Sequence, residues 1–365
     1  MAPTAGVDRR ASVETARTAR LVGGRPLFDL DFGVSMNVRH IQEALTAPQA
    51  IAPTTALIAS ASAPAVPTTA GRTKGVVGYL AAPGQIVSLI VLVLPLLVAL
   101  YMSFTDWTPT HGSLLNASFV GFDNYSDLLM YDSRFVEAVV RTVLIGAVCL
   151  SLEFSLGLGL AVLFLREFRG KAIFFSVLLT PMMILPVVVG YTFWMLFQSN
   201  GPINQVITLL AGASYAPAWF RSAPFAIATV IITEVWHWTP VFFLILLSGL
   251  NAVPENPVRA AVILGANPRQ VFWRVILPIL KPVIVVAFVI RAMEVVKLFD
   301  EVFMLTRGGP GSSTETISLY IYKLAFNDFQ LAYGAAAAFL VLVGTLVLIN
   351  MMLLPIRDQL LKEHR

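Results

Sequence analysis

Long apolar runs alternate with short polar breaks over most of the chain, at about 80–104, 137–165, 172–197, 224–250, 280–305 and 332–355. A bilayer's hydrocarbon core takes roughly 20 helical residues to cross, and each run is at least that long. The first, LAAPGQIVSLIVLVLPLLVALYMSF, contains no charge. The second carries Arg141 near its outer end and Glu153 near mid-depth. The third contains Pro181 and Pro186 and closes on Tyr191, Phe193, Trp194 and Phe197, aromatics of the kind that sit at a membrane interface. After it, QSNGPINQ opens a segment to about 223 that is expected to include an interfacial helix. In the sixth, Gly334 and Ala338 form a small-xxx-small pair suited to close helix packing. The pattern predicts an all-α integral membrane protein with six spans.

Residues 1–75 break the pattern. They are rich in Ala, Thr, Pro and Arg without sustained periodicity, so a disordered extension is expected, with 36–46 compatible with a short helix. No long apolar segment stands near the start, so no cleaved signal peptide is expected. The membrane domain is therefore read as 76–356, with a short tail over 357–365.

One polar interruption is itself periodic. Glu255 to Pro282, ENPVRAAVILGANPRQVFWRVILPILKP, reads as two short amphipathic helices about a glycine turn. Pro254 and Pro257 suit a helix start over 255–264. Gly265 can take the positive φ of a tight turn. Asn267 is placed to cap a second helix from Pro268, whose polar side carries Arg269, Gln270 and Arg274. Pro278 and Pro282 are expected to close this loop before the fifth run.

Composition sharpens the class. Of 365 residues, 57% are hydrophobic and 13% charged, and mean hydropathy is +0.78, which is membrane-protein territory. A net charge of +4 with no basic stripe among exposed aromatics argues against nucleic-acid binding. Cys149 is alone and His40, His111, His237 and His364 are scattered, so no disulfide or metal site is expected. The placement of positive charge matters more than its sum. Arg166, Arg169 and Lys171 follow the second run; Arg259, Arg269, Arg274 and Lys281 lie in the two-helix loop; Arg357, Lys362 and Arg365 end the chain. The opposite loops are leaner, with Arg134 among Asp106, Asp123, Asp127 and Asp132, then Arg221, then Arg307 and Lys323. The positive-inside rule thus predicts that both termini and the two-helix loop face the cytoplasm.

The pattern RAA-x-x-LGA followed by F-x-x-V-x-LP-x-L-x-P resembles the "EAA" coupling loop of binding-protein-dependent ABC importer permeases. Ala260, Ala261, Gly265, Ala266, Leu277 and Pro278 fit it; Arg259 stands where the motif has Glu, and Leu264 where many members have Asp. Further blocks carry the resemblance over about 78–355: FVGFDNYSDLL, LLTPMMILPVVVGYTFWMLFQSNGPIN, EVWHWTPVFFLILLSGLNAVP, and FDEVFMLTRGGPGSSTETISLYIYKLAFNDFQLAYGAAAA with its L-T-x-G-G-P. They are similar to maltose-type carbohydrate permeases, the last block to the first of the two permeases such systems carry. The resemblance implies a six-helix bundle of the type I importer kind in a bacterial inner membrane. It also implies a second permease, two ATPase subunits, an extracytoplasmic solute-binding protein and a sugar as cargo. The coupling residues it implies are Arg259, Ala260, Ala261, Gly265, Ala266, Asn267, Arg269 and Pro278. No G-x-x-x-x-G-K-[ST] occurs in the chain, so ATP would be hydrolysed elsewhere.

Ionisable groups within spans are costly and mark pathways or pairings. Glu234, His237, Trp238 and Val241 share one helical face, beside a bend expected at Pro240. A carboxylate, an imidazole and an indole on one face suit a sugar, with hydrogen bonds to hydroxyls and an apolar ring against C–H groups. The alternative is an inter-helix hydrogen bond from Glu234, with Trp236 and Trp238 as packing anchors. In the fifth run, Arg291, Glu294, Lys297, Asp300 and Glu301 recur at mostly three-residue spacing; either they pair along the helix, or Arg291 and Glu294 reach the cavity. Glu153 has no partner that the sequence names. A gradient-driven transporter or channel is the alternative function, disfavoured by the two-helix loop and by the lack of an obvious long repeat. A membrane enzyme would need a catalytic constellation, and none with convincing spacing is present.

Overall fold

The computed structural model describes residues 73–211 and 217–362, with side chains described from 83 to 354 apart from that of His111. The expected extension up to residue 72, with its short helix at 36–46, and the last residues of the tail lie outside the described residues; residues 73–75, read as part of the extension, begin the first helix. All regular structure within them is helical; one isolated bridge pairs Thr105 with Phe119. Two compact units are distinguished, a short one at Pro254–Pro278 and a larger helical bundle that includes the chain on either side of it.

The bundle comprises α1 (Thr73–Met102), α2 (Asp123–Met130), α3 (Ser133–Phe164), α4 (Lys171–Leu179), α5 (Pro186–Leu196), α6 (Pro202–Ala211) and α7 (Ala223–Asn251). The short unit holds α8 (Glu255–Ile263) and α9 (Pro268–Val271). The bundle resumes with α10 (Leu277–Val296), α11 (Asp300–Leu305), α12 (Ile317–Tyr322) and α13 (Leu331–Lys362). Among the described residues, five stretches of helix are long and apolar enough to cross a membrane: Pro83–Met102, Ser133–Phe164, Ala223–Asn251, Pro268–Val296 and Leu331–Leu354.

The third apolar run is built differently from the continuous span expected. α4 ends at Leu179, a 3₁₀ turn covers Pro181–Met183, and Ile184 and Leu185 are extended (ψ 141° and 136°) before α5 begins at Pro186. Proline forces this shape: the residue before it is pushed from helical to extended backbone, and its own missing N–H suits the first helical position. The fifth run is also divided. Its helix stops at Val296, and after Phe299 (φ −130°, ψ −58°) α11 restarts at Asp300.

α7 is the central helix. Just over half of its apolar window, 56%, is enclosed, whereas none of α1 is, so α1 is left uncovered by the rest of this chain. Phe154 of α3, Phe242 of α7 and Phe288 of α10 interlock at centroid separations of 5.1–6.0 Å. α5 lies against α11 at Gly190, where an added Cβ would fall 3.1 Å from the Glu301 Cα and 2.9 Å from the Met304 Cβ. In the sixth run the expected small pair is half realised: Gly334 is buried, but Ala338 is exposed. Ala336 and Ala337 pack instead against Leu128, Phe135, Ala138 and Tyr320.

Past α11, the L-T-x-G-G-P block turns through Arg307 (φ 53°) and Gly308 (φ 88°), and a buried acid ties it down. Glu315 accepts from Arg134 Nε and Nη2 at 2.9 and 2.8 Å and from Lys323 Nζ at 2.7 Å. Arg141 donates to the Glu315 carbonyl at 2.8 Å. Burial alone would raise the Glu315 carboxyl, but the bonds from Arg134 and Lys323 outweigh it and hold the group below the usual carboxylate range.

Within the short unit, α8 ends as expected and Gly265 makes the turn at φ 83°. Asn267 Oδ1 accepts from the Gln270 N–H while Gln270 Oε1 accepts from the Asn267 N–H, both at 2.9 Å, a reciprocal capping box. Val262, Ile263 and Leu264 stand exposed around the turn, and Arg259 pairs with Glu255 one turn earlier. Pro278 and Pro282 do not close the loop, contrary to the sequence expectation. Helix continues unbroken over Pro268–Val296, through a π turn at Phe272–Ile276 in which the Leu277 N–H donates to the Phe272 carbonyl. Pro278 has no N–H for the Arg274 carbonyl and its ring would crowd that group; the wider π turn just ahead relieves the conflict.

Candidate functional site

Three spans each bring one charged side chain to a common buried point. Arg291 of α10 donates from Nε and Nη2 to the two carboxylate oxygens of Glu153 on α3, at 2.9 and 3.0 Å. Nη2 also donates to Glu234 Oε1 on α7 at 2.9 Å. All three side chains are at most 2% exposed. An arginine in an apolar span must find such partners, because an unpaired buried charge is very costly; its planar fork matches a carboxylate in two-point fashion. The Trp238 indole, one turn from Glu234, lies 4.6 Å from the guanidinium carbon in cation–π geometry. The pairing is incomplete, since Glu234 Oε2 and Arg291 Nη1 are buried without a hydrogen-bond partner.

His237 forms a second junction. Its Nε2 is 3.1 Å from the Ile184 carbonyl, which the break before Pro186 leaves outside any helix ladder. Its Nδ1 is 3.0 Å from Glu301 Oε1 on α11. The carbonyl can only accept, so the network assigns a hydrogen to Nε2. His237 thereby links α7, the broken third run and α11.

Beside these junctions opens a cleft of about 260 Å³, bordered by Glu234, Trp238, Glu294, Lys297, Asp300 and Glu301, with Pro186 and Phe299 at its edge. Of the residues expected on a substrate pathway, Glu234, Trp238 and Glu294 border this cleft. His237 and Arg291 do not; they are buried behind it, holding residues that do. Val241 is half-buried and outside the lining. The charges of the fifth run do not pair along the helix as a ladder: only Glu294 and Lys297 do so, at 2.8 Å and well exposed. Arg291 and Glu301 turn inward to other helices. Asp300 and Glu301 were visible in the sequence only as part of that charge series, and the signal that marks them as lining is the helix restart at Asp300. Among the described residues no group of His, Cys, Asp and Glu is arranged to hold a metal ion.

Known proteins share this architecture. A solved bacterial alginate ABC transporter, determined in complex with an alginate pentasaccharide-bound periplasmic protein, has a chain that superposes with a TM-score of 0.66 at 19% identity, covering 78% of this chain and 96% of that one. The probable ABC transporter permease protein y4oQ of Sinorhizobium fredii is 39% identical over 269 residues, 73% of this chain and 85% of the relative. The sulfoquinovosyl glycerol transport system permease SmoG of Agrobacterium fabrum is 34% identical, covering 71% and 83%. The trehalose/maltose transport system permease MalF of Thermococcus litoralis is 33% identical, covering 74% and 90%. The family model for the binding-protein-dependent transport system inner membrane component matches residues 154–355, a stretch that holds the two-helix loop, the cleft and two of the three members of the buried ion cluster, Glu234 and Arg291. The chain is a multi-pass inner-membrane protein and belongs to that family of ABC importer permeases.

Proposed function

We propose that this chain is the membrane-spanning permease subunit of an ATP-driven importer that carries a sugar, polyol or related solute. The observation that carries the reading is the family match over 154–355, joined to relatives named for trehalose, maltose and sulfoquinovosyl glycerol transport. By the same reasoning it works beside a second permease, two ATPase subunits and an extracytoplasmic solute-binding protein. The chain has no P-loop motif of its own, so ATP hydrolysis is assigned to the separate subunits and this subunit to translocation.

Both termini and the two-helix loop are placed in the cytoplasm on the distribution of Arg and Lys. There the exposed Val262, Ile263 and Leu264, with Arg259, Ala260, Ala261, Gly265, Ala266, Asn267, Arg269 and Pro278 around them, receive the ATPase. Closure of the motor moves this loop, and the cavity opens to one side and then the other. Glu234, Trp238 and Glu294 meet the solute; Arg291 and His237 are positioning residues that hold Glu234 and Glu301; Val241 packs.

A gentle-detergent pull-down of the tagged chain from its native membrane, read by mass spectrometry, tests the assembly. A second permease and a P-loop ATPase are expected with it. A stable chain recovered alone or as a homodimer would instead favour a gradient-driven transporter.

A further inference from the structure

The chemistry of the cleft says which sugars it takes. Glu234, at the border of the cleft, offers a buried carboxylate oxygen, Oε2, with no donor. A hydroxyl can donate to that oxygen, so a polyhydroxylated solute carries the group it needs. An ionised carboxylate or sulfonate group only accepts, and cannot answer Oε2.

Charge points the same way. Arg291 is a single cation shared by Glu153 and Glu234. Lys297 is matched by Glu294, and Glu301 is hydrogen-bonded to His237. Asp300, half-buried at the same cleft, has Glu301 as its charged neighbour and no cationic partner among the described residues. Carboxylates therefore outnumber cationic side chains around a space of about 260 Å³, where partial burial weakens screening.

We propose that this cleft selects uncharged, hydroxyl-rich solutes and rejects acidic sugars, through the unpaired Glu234 acceptor and the excess of carboxylates around it. The inference rests on the cleft being part of the sugar pathway.

The test uses the complete complex in nanodiscs without its binding protein, so that the permease alone discriminates. Trp238 fluorescence, taken as the difference from a Trp238→Phe complex, is titrated with methyl glucoside, sucrose, glucuronate and glucose 6-sulfate at low ionic strength. The neutral probes are expected to give saturable changes, and the acidic ones to bind about tenfold more weakly. Asp300→Asn is expected to narrow that gap, and Glu234→Gln to narrow it further; if the latter fails to assemble, the former decides. Acidic probes that bind as well as neutral ones, or a gap unmoved by Asp300→Asn, overturn the selectivity. No response to any probe, with sugar uptake by the complex intact, removes the cleft from the pathway and the inference with it. Loss of sugar uptake by the native complex would instead overturn the importer reading.

Discussion

Arg291 and Glu153 meet through two parallel hydrogen bonds, 2.9 and 3.0 Å long, between helices whose residues are 138 positions apart. The pair sits with Glu234 where lipid-facing helices could not hold a charge. Arg291→Met leaves two buried carboxylates facing each other, and is expected to cost roughly 3–5 kcal/mol. Thermal unfolding of the complex in nanodiscs measures it. Adding Glu153→Gln to that variant should restore part of the loss; strictly additive losses would mean that the two side chains do not interact.

Trp238 both borders the cleft and covers the guanidinium of Arg291. Trp238→Ala is expected to raise the uptake KM about tenfold, the scale of one desolvated cation–π contact plus lost ring packing. Co-purification of the ATPase should be unaffected. Unchanged uptake would return the residue to a packing role.

Gly265 turns the loop at φ 83°, where an L side chain costs roughly 1–2 kcal/mol. Gly265→Asp, or deletion of 262–268, is expected to abolish uptake while the protein remains inserted in the membrane. Normal uptake by either variant removes the loop from coupling.

Glu315 gives a pH dependence of definite sign. Its folded carboxyl lies below the ordinary range, because bonds from Arg134 and Lys323 outweigh burial. The stabilisation is thus complete above the unfolded value of about 4.3, and is lost as pH falls through the lower folded value. The melting temperature of the complex should carry no Glu315 contribution to its slope between pH 8 and 6. A drop below about pH 4 should be smaller in Glu315→Gln, which starts from a lower stability.

At Gly190 an added Cβ would meet the Glu301 Cα at 3.1 Å. Gly190→Leu is expected to destabilise by about 1–3 kcal/mol through overpacking, seen as a lowered melting temperature. Gly84, which has open space around it, serves as the control: Gly84→Ala should have little effect.

Features governed by local chemistry were legible in the sequence. The Gly265 turn, the Asn267 cap and the apolar runs follow from single residues and their neighbours. So did the shared face of Glu234, His237 and Trp238. What sequence could not supply was partner choice between helices. Glu153 and Glu234 converge on Arg291 from 138 and 57 positions away, and no local rule favours that convergence over pairing along the fifth run. The prolines were read unevenly for a related reason. Pro186 follows two extended residues and breaks its helix, whereas Pro278 is absorbed by a π turn, and Pro240 and Pro282 remain inside helices. Whether proline ends a helix depends on what packing offers the freed carbonyl.

Two short rods joined at a knuckle answer a push differently from one long rod. α5 and α11, face to face across Gly190, are expected to move together, with α4 on the other side of the break. Bending in the third run is thereby channelled to residues 180–185, where the helix ladder is already open and its free carbonyl is tethered by one imidazole.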